Sequence, residues 1–271
     1  MSSLFSLQDK IILISGATGV LGNSITQFLA GEGASVIILG RNPNKVRDLV
    51  EQIESAGGKA NPLIADVTNE EALINAREQV EKKFGQLDVL INAAGGNMPG
   101  AIVTPDQKIT DLDIEEVKKV MELNYLGTLL PIQIFTPLLI KNPQASIVNI
   151  SSMAASRPLT RVMGYASAKA AIDNLTKWLS VEYCQKYGKN FRVNAVAPGF
   201  FLTDQNRALL TKEGGELTDR GNQIISHTPM DRFGNPEDLF GALAFLCSDA
   251  SQFVTGTIIP VDGGFSAFSG V

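Results

Sequence analysis

Two periodicities take turns along the chain. Short runs of consecutive apolar residues, rich in Ile and Val, precede longer stretches in which apolar positions return every three or four residues. The runs KIILIS (10–15), SVIILG (35–40), ANPLIAD (60–66), DVLINAA (88–94), SIVNISS (146–152), FRVNAVAP (191–198) and TIIPVDG (257–263) predict seven strands. They are nearly unbroken apolar segments, which suits strands covered on both faces. The intervening stretches predict helices over 21–33, 44–56, 70–84, 114–140, 164–187 and 236–247, with short helical segments across 204–226. Strand and helix in strict alternation imply an α/β, doubly wound Rossmann fold: a seven-stranded parallel sheet with helices on both faces. Two connections are longer than the rest, 95–113 and 198–236. Both follow a strand, where an open α/β sheet binds ligands, so both are candidate substrate loops.

Composition narrows this picture. Of 271 residues, 44% are hydrophobic and 19% charged, which fits a globular chain with a large core, taken here as one domain over 1–271. The net charge of −5 argues against nucleic acid as a partner. Cys184 and Cys247 form no CxxC pair, so neither a disulfide framework nor a metal site is expected. His227 is the only histidine and sits in a loop-like segment without a nucleophile elbow. The start, MSSLFSLQDK, lacks a signal-peptide pattern, and no stretch has membrane-span length, so a cytoplasmic protein without membrane contact is expected.

The first strand runs into SGATGVLG, at 15–22, and then a helix. Gly16, Thr18, Gly19, Val20, Leu21 and Gly22 thus form a tight turn whose free helix-start amides suit a pyrophosphate. A purely structural turn is the alternative. An NAD site places a carboxylate at the end of the second strand. Here Arg41 and Asn42 follow Gly40, so NADP(H) is preferred and NAD(H) remains possible, unless Arg41 is a solvated surface charge. Asp66 ends the third strand; it meets the adenine ring or caps the next helix. Asn92, Ala93, Ala94 and Gly95 end the fourth, where small residues let a cofactor lie against the backbone.

Tyr165 is the one tyrosine with a lysine four residues on, Lys169, which places both on one helix face. A neighbouring ammonium, together with an oxidised nicotinamide, would favour phenolate and lower the tyrosine pKa, making a proton carrier near neutrality. Ser152 closes the fifth strand and could hold a substrate carbonyl. Asn124 sits amid apolar helix residues, where it would hold a water or a backbone distortion.

In that order, SGATGVLG, Asp66–Val67, NAAG, Asn124, NISS, YASAK, Pro198–Gly199 with Thr203, and VTG…VDGG resemble the motifs of the short-chain dehydrogenase/reductases over essentially the whole sequence. One departure is Val20, which stands where that family carries its middle glycine, with Gly19 one place earlier. The resemblance implies a tetrad of Asn124, Ser152 (rather than Ser151), Tyr165 and Lys169, and a cofactor lying also on Val67, Tyr165, Lys169, Pro198, Gly199, Phe201 and Thr203. It further implies a homotetramer packed through the helices at 117–140 and 164–187. Within the family, NAAGGNMPGA, LGTLLP, NISSM, HTPM-x-RFG and VDGGFSAFSGV are similar to the D-mannonate oxidoreductases (fructuronate reductases) of short-chain type, which implies reduction of D-fructuronate to D-mannonate. A keto-acid or sugar-acid substrate needs cations and polar groups. Asn97, Arg157, Arg161 and Arg207, with Gln205 and Asn206, fall in the loops expected around one crevice beside Ser152 and Tyr165. Arg161 or Arg207 is the expected carboxylate clamp. The alternatives are a reductase of 3-oxoacyl thioesters or polyols, or a nucleotide-binding regulator without turnover.

Overall fold

The computed structural model describes residues 4–202, 207 and 209–270. It contains one sheet of seven strands in the order β3-β2-β1-β4-β5-β6-β7, every pairing parallel. The strands are β1 (Ile11–Ser15), β2 (Ser35–Gly40), β3 (Lys59–Ile64), β4 (Val89–Asn92), β5 (Ser146–Ile150), β6 (Arg192–Pro198) and β7 (Ile258–Val261). The helices are α1 (Val20–Gly31), α2 (Pro43–Ser55), α3 (Glu70–Phe84), α4 (Ile114–Met121), α5 (Gly127–Leu139), α6 (Met163–Lys186), α7 (Asp219–Ser226) and α8 (Phe240–Cys247).

The period of two along each strand divides the core. Ile12 and Ile14 of β1 join Ile25 and Leu29 of α1, Leu49 of α2 and Leu243 of α8 in one buried cluster. Leu13, between them, joins Leu73 of α3, Phe135 and Leu138 of α5 and Leu175 of α6 in the other. Both faces of the central strands are thereby dry, which is why β4, β5 and β6 are buried at every position. Each fully buried Ile or Leu contributes about 2 kcal/mol. The edge strand β3 departs from that rule: only Ala60 and Leu63 are buried, and Pro62 is tolerated there.

Other departures bear on the site. β3 stops at Ile64, so Asp66 lies beyond it. The single helix expected over 114–140 is two helices joined by a π-turn, Glu122–Leu126. The helix expected over 236–247 begins as a 3₁₀ turn, Pro236–Leu239. The large buried cation is structural: Arg192 Nη1 donates to Leu246 O at 2.8 Å and Nη2 to Ser248 O at 3.3 Å, satisfying carbonyls where α8 ends. No helix among the described residues is long and apolar enough to cross a membrane.

Candidate active site

At the end of β1 the chain turns through Gly16 with φ of +67°. A Cβ there would stand 2.5 Å from the Ala94 nitrogen, so this turn rests directly on the end of β4. A Cβ on Gly22 would meet the Gly16 carbonyl at 2.1 Å, so α1 also packs against the turn. Val20 in place of a glycine leaves this geometry intact, because Gly19 takes the N-cap position in an extended conformation.

The start of α1 has no side-chain cap and no acidic residue. Its neighbours differ: Asn42 accepts from the amides of Asn44 and Lys45 at the start of α2, and Asn69 from that of Ala72 at α3. The uncapped amides of α1 border a cavity of about 320 Å³, lined on one side by Gly16 and Gly19 to Gly22 and on the other by Ser152, Tyr165 and Lys169. Pro198, Gly199 and Phe201 line it too. An adjoining cavity of about 180 Å³ shares Gly16, Gly19, Ala93 and Gly95 and continues past Thr18, Arg41, Asp66, Val67 and Ala94. This donor set and glycine cradle fit a dinucleotide running from the α1 start to Tyr165.

Three residues expected at the cofactor are placed elsewhere or not described. The Asn42 side chain is committed to capping α2. Asn92 is buried inside the sheet and donates to Asn149 Oδ1 at 2.9 Å, so it lines neither cavity. Thr203 lies outside the described residues, as do Gln205 and Asn206. Asp66 does not cap α3, whose cap is Asn69. It accepts from the Thr68 amide and hydroxyl at 2.9 and 2.8 Å, and Arg41 Nη1 stands 3.7 Å from it. Burial raises its pKa, but those hydrogen bonds and Arg41 outweigh burial and hold the carboxyl below its usual value.

The catalytic side is built on α6, β5 and the π-turn. Lys169 is buried and donates from Nζ to Ile150 O at 2.8 Å, which holds the helix against the end of β5. Its ammonium stands 5.6 Å from the Tyr165 ring centroid. Burial depresses the lysine to about 8, opposed by Asp173. The tyrosine departs from expectation. Burial pushes its phenol up, and a hydrogen bond with Ser152 only partly offsets this. The Lys169 ammonium is engaged with the Ile150 carbonyl and lies over the ring. Ser152 also accepts from the Ala154 amide at 3.2 Å, which fixes its hydroxyl at the mouth of the turn after β5.

Asn124 sits in the π-turn and is fully buried. A π-turn leaves one carbonyl without its usual amide. Asn124 Nδ2 donates to Val120 O at 2.8 Å and to Gly96 O at 2.7 Å, while Oδ1 accepts from the Gly96 amide at 3.1 Å. The residue thus stabilises the distortion and pins the chain after β4. A Cβ on Gly95 would stand 2.7 Å from Asn124 Oδ1 and 3.2 Å from Lys169 Nζ, so a side chain there would displace two groups of the site.

The arginines divide. Arg157 Nε donates to Ser266 O at 2.7 Å, tying down the C-terminal segment, and lines neither cavity of the cofactor path. Arg161 has φ of +77°, strained for a side chain of this size, and its carbonyl accepts from the Val103 amide at 3.0 Å. That bond joins the loop after β4 to the loop after β5. Arg207 is exposed. Asn97 accepts from the amide of Met98 rather than facing either cavity. A residue missed in the sequence is Arg220, in the first turn of α7. Burial lowers its pKa, and the positive charge of Arg161 lowers it further. The signal was weak: a half-buried arginine on a short helix inside a long connection. His227 Nδ1 pairs with Gln223 O at 2.8 Å, at the periphery. Among the described residues no group of acidic, His or Cys side chains could hold a metal ion.

A family model described as enoyl-(acyl carrier protein) reductase, of the short-chain dehydrogenase type, matches residues 16–266. An uncharacterized oxidoreductase of Haemophilus influenzae is 44% identical, over 98% of this chain and 96% of its own length. A solved structure from Haemophilus influenzae, provisionally called a D-mannonate oxidoreductase and holding NAD, superposes with a TM-score of 0.91. It is 43% identical and covers 99% of this chain and 100% of that one. A gluconate 5-dehydrogenase from Burkholderia cenocepacia, in complex with NADP and tartrate, superposes with a TM-score of 0.85 at 28% identity, covering 97% of each chain.

Proposed function

Because the chain belongs to the short-chain dehydrogenase/reductase family, whose members are oxidoreductases acting on CH–OH groups, we propose that it interconverts the carbonyl of a keto sugar acid and the matching secondary alcohol, with D-fructuronate and D-mannonate as the pair. The observation that carries this reading is one cavity lined by the glycine turn and by Ser152, Tyr165 and Lys169. A bound nicotinamide supplies or accepts the hydride there. The protein's own groups do the rest. The Ser152 hydroxyl orients the carbonyl oxygen. Tyr165, whose buried phenol is held in the protonated form, donates its proton to that oxygen as reduction proceeds and recovers it in the reverse direction. Lys169 keeps positive charge beside the forming phenolate, and Asn124 fixes the backbone that borders it.

The substrate class rests on Arg161 and Arg220. Two like charges that act on one another would gain from a bound anion, and a uronate carboxylate would supply it. The Burkholderia relative, with tartrate bound, supports a hydroxy-acid substrate. For the cofactor, Arg41 at the end of β2, without a carboxylate in that position, favours NADP(H). NAD(H) is favoured instead by the Arg41–Asp66 approach and by the NAD held in the Haemophilus relative. A 3-oxoacyl thioester is the second substrate reading, favoured by a further cavity of about 370 Å³ behind Phe200 and Phe201, lined by Met230, Pro260 and Val261. Exposed Leu126, at the end of the π-turn before α5, and Met163, Trp178 and Val181 on α6 support a homotetramer packed through these helices, which sedimentation would test. Function is tested by initial rates on D-fructuronate, its neutral ketose counterpart and a 3-oxoacyl thioester, each with NADPH and NADH. The reading expects kcat/KM for the keto acid to exceed the thioester by about a hundredfold. Preference for the thioester would overturn it.

A further inference from the structure

Beyond the tetrad, α6 carries a carboxylate that the proposed chemistry does not use. Tyr165, Lys169, Asp173 and Lys177 follow one another at intervals of four and share one face of the helix. Asp173 is partly buried, and the Ser151 hydroxyl donates to its Oδ1. Ser151 is 2% exposed and directly precedes Ser152. Lys169, one turn earlier on α6, is 3% exposed and bonded to the Ile150 carbonyl. The end of β5 is therefore gripped at two successive residues by two side chains of one helix, one cationic and one anionic.

We propose that Asp173 is a positioning residue for the proton-transfer pair: through Ser151 it fixes the strand end that carries Ser152, and through its charge it keeps the Lys169 side chain an ammonium. This rests on the reading of Tyr165 and Lys169 given above. A buried ammonium bonded only to a neutral carbonyl loses much of its hydration without gaining a counter-charge. Burial raises the Asp173 pKa, and Ser151, from the loop after β5, with Lys177 and Lys169, from its own helix, offset this in part. The charged group that acts on Lys169 is Asp173. Lys177 lies a turn further on and is exposed, so it offsets the carboxylate only weakly.

The sign follows. A carboxylate near an ammonium favours the charged form and raises the pH at which the proton leaves. Without it, burial acts alone and the ammonium is lost at lower pH. Lys169 titrates at about 8 with Asp173 in place, so the loss falls inside the working range.

Asp173→Asn removes the charge yet leaves an oxygen that accepts from Ser151. Two readouts are needed. In the cofactor-free protein, NMR of lysine labelled with ¹³C at Cε gives the Lys169 titration midpoint directly. Wild type is expected near 8, Asp173→Asn lower by about half a pH unit or more, and Asp173→Glu returned toward wild type. In turnover assays the alkaline limb of kcat moves the same way, while KM for the cofactor holds. Ser151→Ala leaves the carboxylate without its donor. The charge remains, so the Lys169 midpoint holds or rises while kcat falls as the strand end under Ser152 loosens; a lowered midpoint or an unchanged kcat overturns the proposal if Asp173→Asn does not fold. For Asp173→Asn, a midpoint and limb that stay in place, with only a lower Tm or a uniform loss of rate, overturn the proposal. Lys169→Ala separates the two levels. If it turns over like wild type, the proton-transfer reading itself falls. If it is inactive and the Asp173 variants titrate like wild type, only the role of Asp173 falls.

Discussion

The cofactor side and the substrate side of this crevice are made of different materials. The cofactor side is made largely of backbone: Gly16 at φ +67°, Gly22 against the Gly16 carbonyl, and the uncapped start of α1. The proposed substrate side depends on long side chains on irregular segments, with Arg161 on a strained turn and Arg220 on a short helix. Backbone recognition tolerates no extra atoms, whereas side-chain recognition is adjustable one charge at a time. A single substitution should therefore damage the first side broadly and the second side selectively.

The largest effect is expected at Gly16. Gly16→Val brings branched carbon against the Ala94 backbone in a left-handed conformation. It should cost about 3 kcal/mol, or roughly 8 °C in Tm, and abolish cofactor binding measured by nicotinamide fluorescence. A stable variant that binds cofactor normally would break the contrast. On the other side, Arg161→Ala and Arg220→Ala should each raise KM for the keto acid by about tenfold, with kcat little changed and the neutral ketose unaffected. Equal losses on acid and neutral substrate would show that these arginines hold the loops together and do not read a carboxylate. The smallest effect belongs to Arg41, which is 75% exposed. Arg41→Ala should lower the NADPH-to-NADH ratio of kcat/KM by about threefold to tenfold. An unchanged ratio would mean that Arg41 serves Asp66 alone.

The same contrast explains what the sequence discloses. Backbone features leave marks at fixed spacing. The apolar runs, the glycines at 16, 19 and 22, and the four-residue step from Tyr165 to Lys169 all found their places in the fold. Asn124 was legible as a misfit in an apolar helix, and the π-turn beneath it is the distortion that its side chain supports. Side-chain direction was not legible. Asn42 and Asn92 stand at the right strand ends, yet one caps α2 and the other points into the sheet. Arg220 leaves no mark because its approach to Arg161 depends on how the connection after β6 folds back, which no local pattern encodes. The tyrosine pKa runs against expectation for a related reason. Spacing puts the lysine on the correct face, but burial of the phenol, which no spacing encodes, pushes its pKa up.

All of this turns on a buried phenol that gives its proton to the substrate oxygen. Tyr165→Phe, assayed on the keto acid by nicotinamide absorbance with cofactor affinity measured in parallel, tests that most directly. The account predicts that kcat falls by at least about a hundredfold while the cofactor binds as before. Turnover within a few-fold of wild type would contradict it.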